Sequence, residues 1–229
     1  MKIVLYCPEG FKKMQNKQIT FEQVRDHLRN IMHQKDPAMF PTGPNGTSVT
    51  DLAKEMLKVT QSVSSSQHQC SKCDYAEESI DNRLTYVLHA DNTVKCSTNH
   101  WINHLSQSTN NRCPECNHKM KQVIFYNDIP HIIILEYPLR NIQTSHSLQL
   151  VTDDGEIKEL TLKGIVYHRS FHFTSRIISD DEQVWYHDGI TTGKVCIQDG
   201  KLGNITESKM KQCRCRKLVL SIYAQKHVI

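Results

Sequence analysis

Phe171-His172-Phe173-Thr174-Ser175-Arg176-Ile177-Ile178-Ser179-Asp180-Asp181-Glu182-Gln183-Val184-Trp185-Tyr186-His187-Asp188-Gly189 reads as two β-runs joined by an acidic turn. His172 to Ile178 and Val184 to Tyr186 are rich in β-branched and aromatic residues, and Asp180-Asp181 is the turn signal between them. In such a hairpin residues 172 and 188 lie near the same end of the ladder, so the carboxylate of one strand reaches the imidazole of the other. That layout serves a cysteine or serine nucleophile. The imidazole takes the proton as general base, and the carboxylate fixes its tautomer and orientation. With 13 histidines in the chain, the pair alone does not establish catalysis.

Outward from this hairpin the sequence stays β-rich. Val123 to Tyr126, His131 to Tyr137, Leu148 to Val151, Ile157 to Leu162, Gly164 to His168 and Leu218 to Tyr223 are further strand candidates, with turns at Asp128, Pro130 and Asp153-Asp154-Gly155. Residues 123–229 therefore read as a mainly antiparallel sheet.

Two cysteine pairs, Cys70-x-x-Cys73 and Cys113-x-x-Cys116, precede it. Two thiolates at this spacing grip one side of a tetrahedral ion, and two such knuckles close a four-sulfur structural zinc site with no open position for chemistry. The alternatives are buried thiols or halves of a disulfide set. Nine cysteines cannot all pair within one chain, which favours a reducing compartment. The segment between the knuckles carries one strand, Leu84 to His89, and a helix-like piece around Trp101, Ile102 and Leu105.

The N-terminal part is helical. Thr20-Phe21-Glu22-Gln23 is a capping box, followed at helical spacing by Phe21, Val24, Leu28, Ile31 and Met32. Asp36-Pro37 ends that helix, and a second opens near Thr47 or Ser48 with Val49, Leu52, Ala53, Met56 and Leu57 on one face. Ser62 to Gln69 reads as a polar linker. The expected organisation is a helical segment over 1–62, a zinc-bearing insert over 63–122 and an antiparallel β segment over 123–229. A net charge of +4 is too mild to make nucleic acid the expected main partner. The apolar run Ile3 to Cys7 stops at Pro8, too short for a signal core or a membrane span. The expected location is intracellular, in cytoplasm or nucleus, with no membrane partner.

Gly164-Ile165-Val166-Tyr167-His168, His172-Phe173-Thr174, Trp185-Tyr186-His187-Asp188 and Leu218 to Tyr223 together resemble the C-terminal half of the ubiquitin-specific proteases. The two knuckles fall where that family carries its zinc-bearing fingers insert. Phe40 to Leu57, with Asp51-Leu52-Ala53-Lys54-Glu55-Met56-Leu57, resembles its Gln-Gln-Asp-Ala-x-Glu-Phe-Leu helix. The chain departs from the pattern with Phe171 for the glycine before the histidine, Phe173 for the tyrosine, and a Trp185-to-Asp188 spacing one residue short. The resemblance implies an α+β, papain-like cysteine peptidase fold of thumb, palm and fingers. It also implies ubiquitin or ubiquitinated proteins as partners, Zn2+ held by Cys70, Cys73, Cys113 and Cys116, His172 as general base and Asp188 as its orienting residue. His168 competes for the base role.

The family's nucleophile box, a Gly-Asn-Thr-Cys-like run opening a helix, has no counterpart here. Cys7 lacks the preceding asparagine and the following helix, and Cys96, Cys196, Cys213 and Cys215 are misplaced for the role. The box is expected upstream of Met1, and the chain alone is expected to be inactive. Two other readings stay open. One is a non-catalytic ubiquitin-binding module. The other is a zinc-ribbon nucleic-acid binder drawing on Lys209, Lys211, Arg214, Arg216 and Lys217.

Overall fold

The computed structural model describes residues 20–43, 46–58, 63–81, 84–88, 96–103, 107–127, 129–138, 142–152 and 154–226. Contacts divide the chain into two units, Met1–Gln61 and Ser62–Ile229. In the first, α1 (Phe21–Lys35) starts at the expected capping box: the Thr20 side chain accepts from the Gln23 backbone, and the Gln23 side chain accepts from the Thr20 backbone N–H. Asp36 closes the helix, and its carboxylate takes the N–H groups of Ala38 and Met39 in a tight turn. Ser48 caps α2 (Val49–Met56). Val24, Met32, Phe40 and Ala53 are buried in this unit, and Lys35 pairs with Glu55.

The second unit runs β1 (Ser64–Cys70), β2 (Ala76–Asp81), β3 (Thr85–Val87), β4 (Cys96–Ser97), α3 (Thr98–Asn103), β5 (Gln107–Arg112), β6 (Lys119–Tyr126), β7 (Ile132–Glu136), β8 (Ile142–Gln143), β9 (Ser147–Val151), β10 (Ile157–Arg169), β11 (His172–Ile178), β12 (Gln183–His187), β13 (Ile197–Lys201), α4 (Glu207–Lys211), β14 (Gln212–Cys213) and β15 (Arg216–Gln225). Its strands form two main sheets. A four-stranded antiparallel sheet has the order β2-β1-β6-β5. The larger sheet has the order β13-β12-β11-β10-β15-β7-β3, with β14 on β15 and β9 on β10. It is antiparallel except where β3 runs parallel to β7. The fold is α+β and sheet-rich.

Two expectations fail here. Ser64–Cys70 is not a linker but the β1 strand, paired on both sides by β2 and β6, with Ser64, Ser65 and Ser66 buried. Ladder hydrogen bonds on both edges hold a polar run extended, where its side chains alone give no strand signal. Ile157–Leu162 and Gly164–His168 are not two strands but one, β10. Its buried positions switch from Leu160 and Leu162 to Ile165 and Tyr167 across a register shift between Leu162 and Gly164. An irregularity of this kind lets one continuous strand change which set of side chains faces the core. Gly164 suits the place: an added Cβ would stand 3.3 Å from the Ile222 side chain. The expected strand Leu84–His89 is present as β3 between buried Leu84 and Leu88, and the helical piece as α3; His89 and Leu105 lie outside the described residues.

The core of the larger sheet is built from Leu135, Leu148, Leu160, Ile165, Tyr167, Tyr186 and their neighbours, all close to zero exposure. Burying each such side chain contributes about 1.5–3 kcal/mol relative to leaving it in water. Two of its buried tyrosine hydroxyls are paired: Tyr223 with Thr98 at 3.0 Å, and Tyr137 with Ser221 at 3.0 Å. Burial pushes the Tyr137 phenol up to about 12, so it serves as a hydrogen-bonding group and not as an acid. Among the described residues, no helix is long and apolar enough to cross a membrane.

Candidate active site and metal centre

β11 opens at His172, directly after the two-residue turn Ser170-Phe171, and β12 ends at His187. Ser175 pairs with His187, so Asp188 leaves the ladder at the level of the residues just ahead of Ser175. The imidazole and the carboxylate meet: His172 Nε2 lies 2.8 Å from Asp188 Oδ1. Asp188 is 1% exposed, yet both oxygens are served. Oδ1 also accepts the N–H groups of Ile190 at 2.9 Å and Thr191 at 3.4 Å. Oδ2 accepts the Tyr186 hydroxyl at 3.2 Å and lies 3.6 Å from Arg216 Nη2. Burial works to raise the Asp188 pKa. The Ile190 N–H, His172 and the Thr191 contacts outweigh it and hold the carboxyl well below its usual range.

An ionised carboxylate only accepts, so Nε2 of His172 carries the proton and Nδ1 carries the free lone pair. Among the described residues no thiol hydrogen-bonds the ring. The loop after Asp188 is fixed by the same residue. Its backbone carbonyl accepts the Thr192 N–H at 2.8 Å, and its own N–H donates to the Thr192 hydroxyl at 3.0 Å. His168, the rival base, stacks on Phe173 with ring centroids 4.4 Å apart, and across from it the ladder places Phe173 and Lys217.

The four knuckle cysteines converge at one end of the smaller sheet. Cys70 ends β1 opposite Met120 near the start of β6, and Cys113 follows β5, so the β1–β6 pairing brings the two knuckles together. Cys70 Sγ lies 3.3 Å from Cys116 Sγ, and Cys73 Sγ lies 3.5 Å from both Cys113 and Cys116. All four sulfurs fall within 4.8 Å of one another, and none is in a disulfide. A tetrahedron of Zn–S bonds of about 2.3 Å has sulfur–sulfur edges of about 3.8 Å, close to this cluster. The Lys72 N–H leads in lowering the Cys70 thiol to about 6. At Cys73 the Tyr75 N–H pulls the same way, but burial and the neighbouring sulfurs push it up to about 12. Four thiols this close do not all ionise unaided, and a bound dication removes that conflict. The donor set therefore fits a metal ion with sulfur preference, and the four positions leave it no open site.

Among the described residues, the other cysteines are not brought into either cluster. Cys213 is buried, which raises its thiol pKa, and Cys215 is exposed in the tight turn before β15. Cys7 lies outside the described residues. Three residues of the basic segment make contacts within the protein: Lys211 pairs with Glu207, Arg214 lies 3.9 Å above the Tyr186 ring, and Arg216 faces Asp188. Sequence reasoning missed the supports of Asp188, namely Tyr186, Arg216 and the 190–192 loop. The run Asp188-Gly189-Ile190-Thr191-Thr192 carries the signal for that loop, since aspartate before glycine favours a turn closed by its own side chain. Nothing local points to Arg216.

No family model and no curated protein matches this chain. Solved structures do. A chain of the SAGA DUB module Ubp8/Sgf11/Sus1/Sgf73 bound to monoubiquitin superposes with a TM-score of 0.50 at 14% identity, covering 91% of this chain and 48% of that one. A chain of the same module bound to ubiquitin aldehyde gives 0.49 at 14% identity, with coverages of 90% and 50%. This chain thus spans about half the length of those it resembles. At so low an identity the likeness is one of fold: a sheet-rich α+β chain with a four-cysteine cluster that shares, at coarse level, the architecture of a chain from a deubiquitinase module.

Proposed function

We propose that this chain is the base-bearing and metal-bearing part of a cysteine-type deubiquitinase of papain-like architecture. The observation that carries the reading is the 2.8 Å contact between His172 Nε2 and buried Asp188, which leaves Nδ1 as the proton acceptor. In this reading His172 takes the proton of a cysteine thiol, the thiolate attacks the carbonyl carbon of the ubiquitin C-terminal glycine, and the protonated ring then donates to the departing amine. The thioester is hydrolysed by water activated at the same nitrogen. Asp188 keeps the ring in one tautomer through each transfer. Residues 1–62 would act as the thumb-like segment, 63–122 as the fingers and 123–229 as the palm. Cys70, Cys73, Cys113 and Cys116 would hold Zn2+, whose role is to fold the fingers and not to take part in the chemistry.

The test adds ubiquitin with a C-terminal electrophile to the protein, alone and with a nucleophile-bearing N-terminal segment supplied in cis. Covalent capture by the extended protein, lost in His172→Ala, is the expected result. Ubiquitin binding without capture in the extended protein would assign the chain to the non-catalytic ubiquitin-binding reading. No binding by either form at millimolar ubiquitin would sink both.

A further inference from the structure

Two arginines in the larger sheet stand in contrast. Arg176, 6% exposed, is tied down by several groups: Nε donates to Asp199 at 2.7 Å, and Nη1 donates to the Tyr167 hydroxyl at 3.0 Å and to the Lys209 carbonyl. Its fork is shared between two strands and the helix α4, as expected of a residue that holds a fold together. Arg216 is different. Its Nη2 faces Asp188 Oδ2 at 3.6 Å, while its buried Nε has no hydrogen-bond partner among the described residues. Leaving a guanidinium N–H buried and unpaired is unfavourable, so the position is not explained by satisfying the arginine.

The segment that delivers Arg216 carries strain as well. Arg214 and Cys215 form the two-residue turn between β14 and β15, with φ of 45° and 64°, a region that favours glycine or asparagine. The turn sets Arg214 over the Tyr186 ring, and Tyr186 donates its hydroxyl to the same Oδ2 that Arg216 faces. One arginine of this hairpin therefore faces Oδ2 of the buried carboxylate, and the other covers the ring whose hydroxyl donates to that oxygen. The opposite oxygen holds His172.

We infer that Arg216 is a positioning residue for the His172–Asp188 pair, fixing the carboxylate plane through Oδ2 so that Oδ1 holds the imidazole as the Nε2–H tautomer. The role rests on the proposed peptidase reading for its purpose, though not for its measurement. With Oδ2 anchored from one side by a phenol and from the other by a cation, the carboxylate does not rotate away from the ring.

The experiment is nitrogen-detected NMR of the imidazole in the purified chain at neutral pH, with Arg216→Met, Arg216→Lys and Asp188→Asn alongside wild type. Wild type is expected to give a solvent-protected Nε2–H and a lone-pair Nδ1. Arg216→Met is expected to speed exchange of that proton by about tenfold or more, the scale of losing a contact to a charged group, and to mix the tautomers. Asp188→Asn, which replaces the acceptor itself, marks the full loss. Arg216→Lys should return the signature most of the way towards wild type. Arg216→Met with an unchanged signature overturns the inference, and so does a lysine variant as perturbed as the methionine one. If Arg216→Met does not fold, Arg216→Gln is read by the same criterion. Ubiquitin does not enter this measurement, so failed capture beside the expected spectra would remove the peptidase reading and leave the role of Arg216 standing.

Discussion

His172 meets Asp188 through Nε2, with a 2.8 Å separation, and this leaves Nδ1 as the nitrogen without that partner. On the proposed peptidase reading, a reacting thiol has to approach Nδ1. In a protein carrying the nucleophile, His172→Ala should lower the rate of ubiquitin-ester or amide cleavage by about 100-fold or more, the ordinary worth of a general base. Ubiquitin affinity should stay within a few-fold of wild type. Single-turnover kinetics with a fluorogenic ubiquitin substrate separates the two effects. An unchanged rate would remove His172 from the chemistry.

The depressed Asp188 carboxyl makes a prediction about acid stability. A group whose folded pKa lies below its unfolded value, about 3.9 for aspartate, stabilises fully above that value. The contribution fades as the pH falls through the folded pKa. Asp188→Asn should therefore be most destabilising from about pH 5 to 7, with the gap to wild type narrowing below pH 4. Thermal melts of both proteins across pH 3 to 7 test this, and a gap that widens in acid would contradict it.

Removing one knuckle sulfur should cost the cluster its metal. Cys113→Ser is the sharper choice because Cys113 is 2% exposed. Loss of metal stoichiometry is expected, with destabilisation on the order of several kcal/mol, since binding energy at such a site is folding energy. Hydrogen exchange should quicken across β1, β2, β5 and β6 before it does in β10 and β15. Metal content by mass spectrometry and exchange mapping together check the claim; a variant with full metal and unchanged exchange would refute it.

Phe171 is 97% exposed with φ at 63°, in a turn position that favours asparagine or glycine. It buries nothing in this chain and sits in a strained backbone. Phe171→Asn should raise stability by about 1 kcal/mol. Chemical denaturation measures it, and a loss of stability would show that the phenyl ring makes contacts that matter.

Arg176→Met should destabilise by about 3 kcal/mol, because Asp199 and the Tyr167 hydroxyl lose their shared partner. Urea titration is the check. A change below about 0.5 kcal/mol would mean that water compensates both groups.

Much of the larger sheet was legible because its strands announce themselves locally. His172–Ile178 alternates and is rich in β-branched residues, and it forms β11 over the expected span. The knuckles were legible for a similar reason: a two-residue gap between thiols fixes their geometry without reference to the rest of the chain. Ser64–Ser66 was not legible, since its extended form comes from neighbours on both sides. The continuity of β10 was hidden by Gly164, which reads as punctuation but serves close packing against Ile222. Arg216 was hidden for a different reason. It lies 28 residues from Asp188 in sequence, and only the β10–β15 pairing carries it to the carboxylate.

β15 is the last of the described strands in chain order, yet it lies inside the larger sheet, hydrogen-bonded to both β10 and β7. During synthesis those two neighbours must wait with open edges until residues 216–225 leave the ribosome. A nonsense codon ahead of Arg216 would leave both edges bare, and such edges recruit other chains.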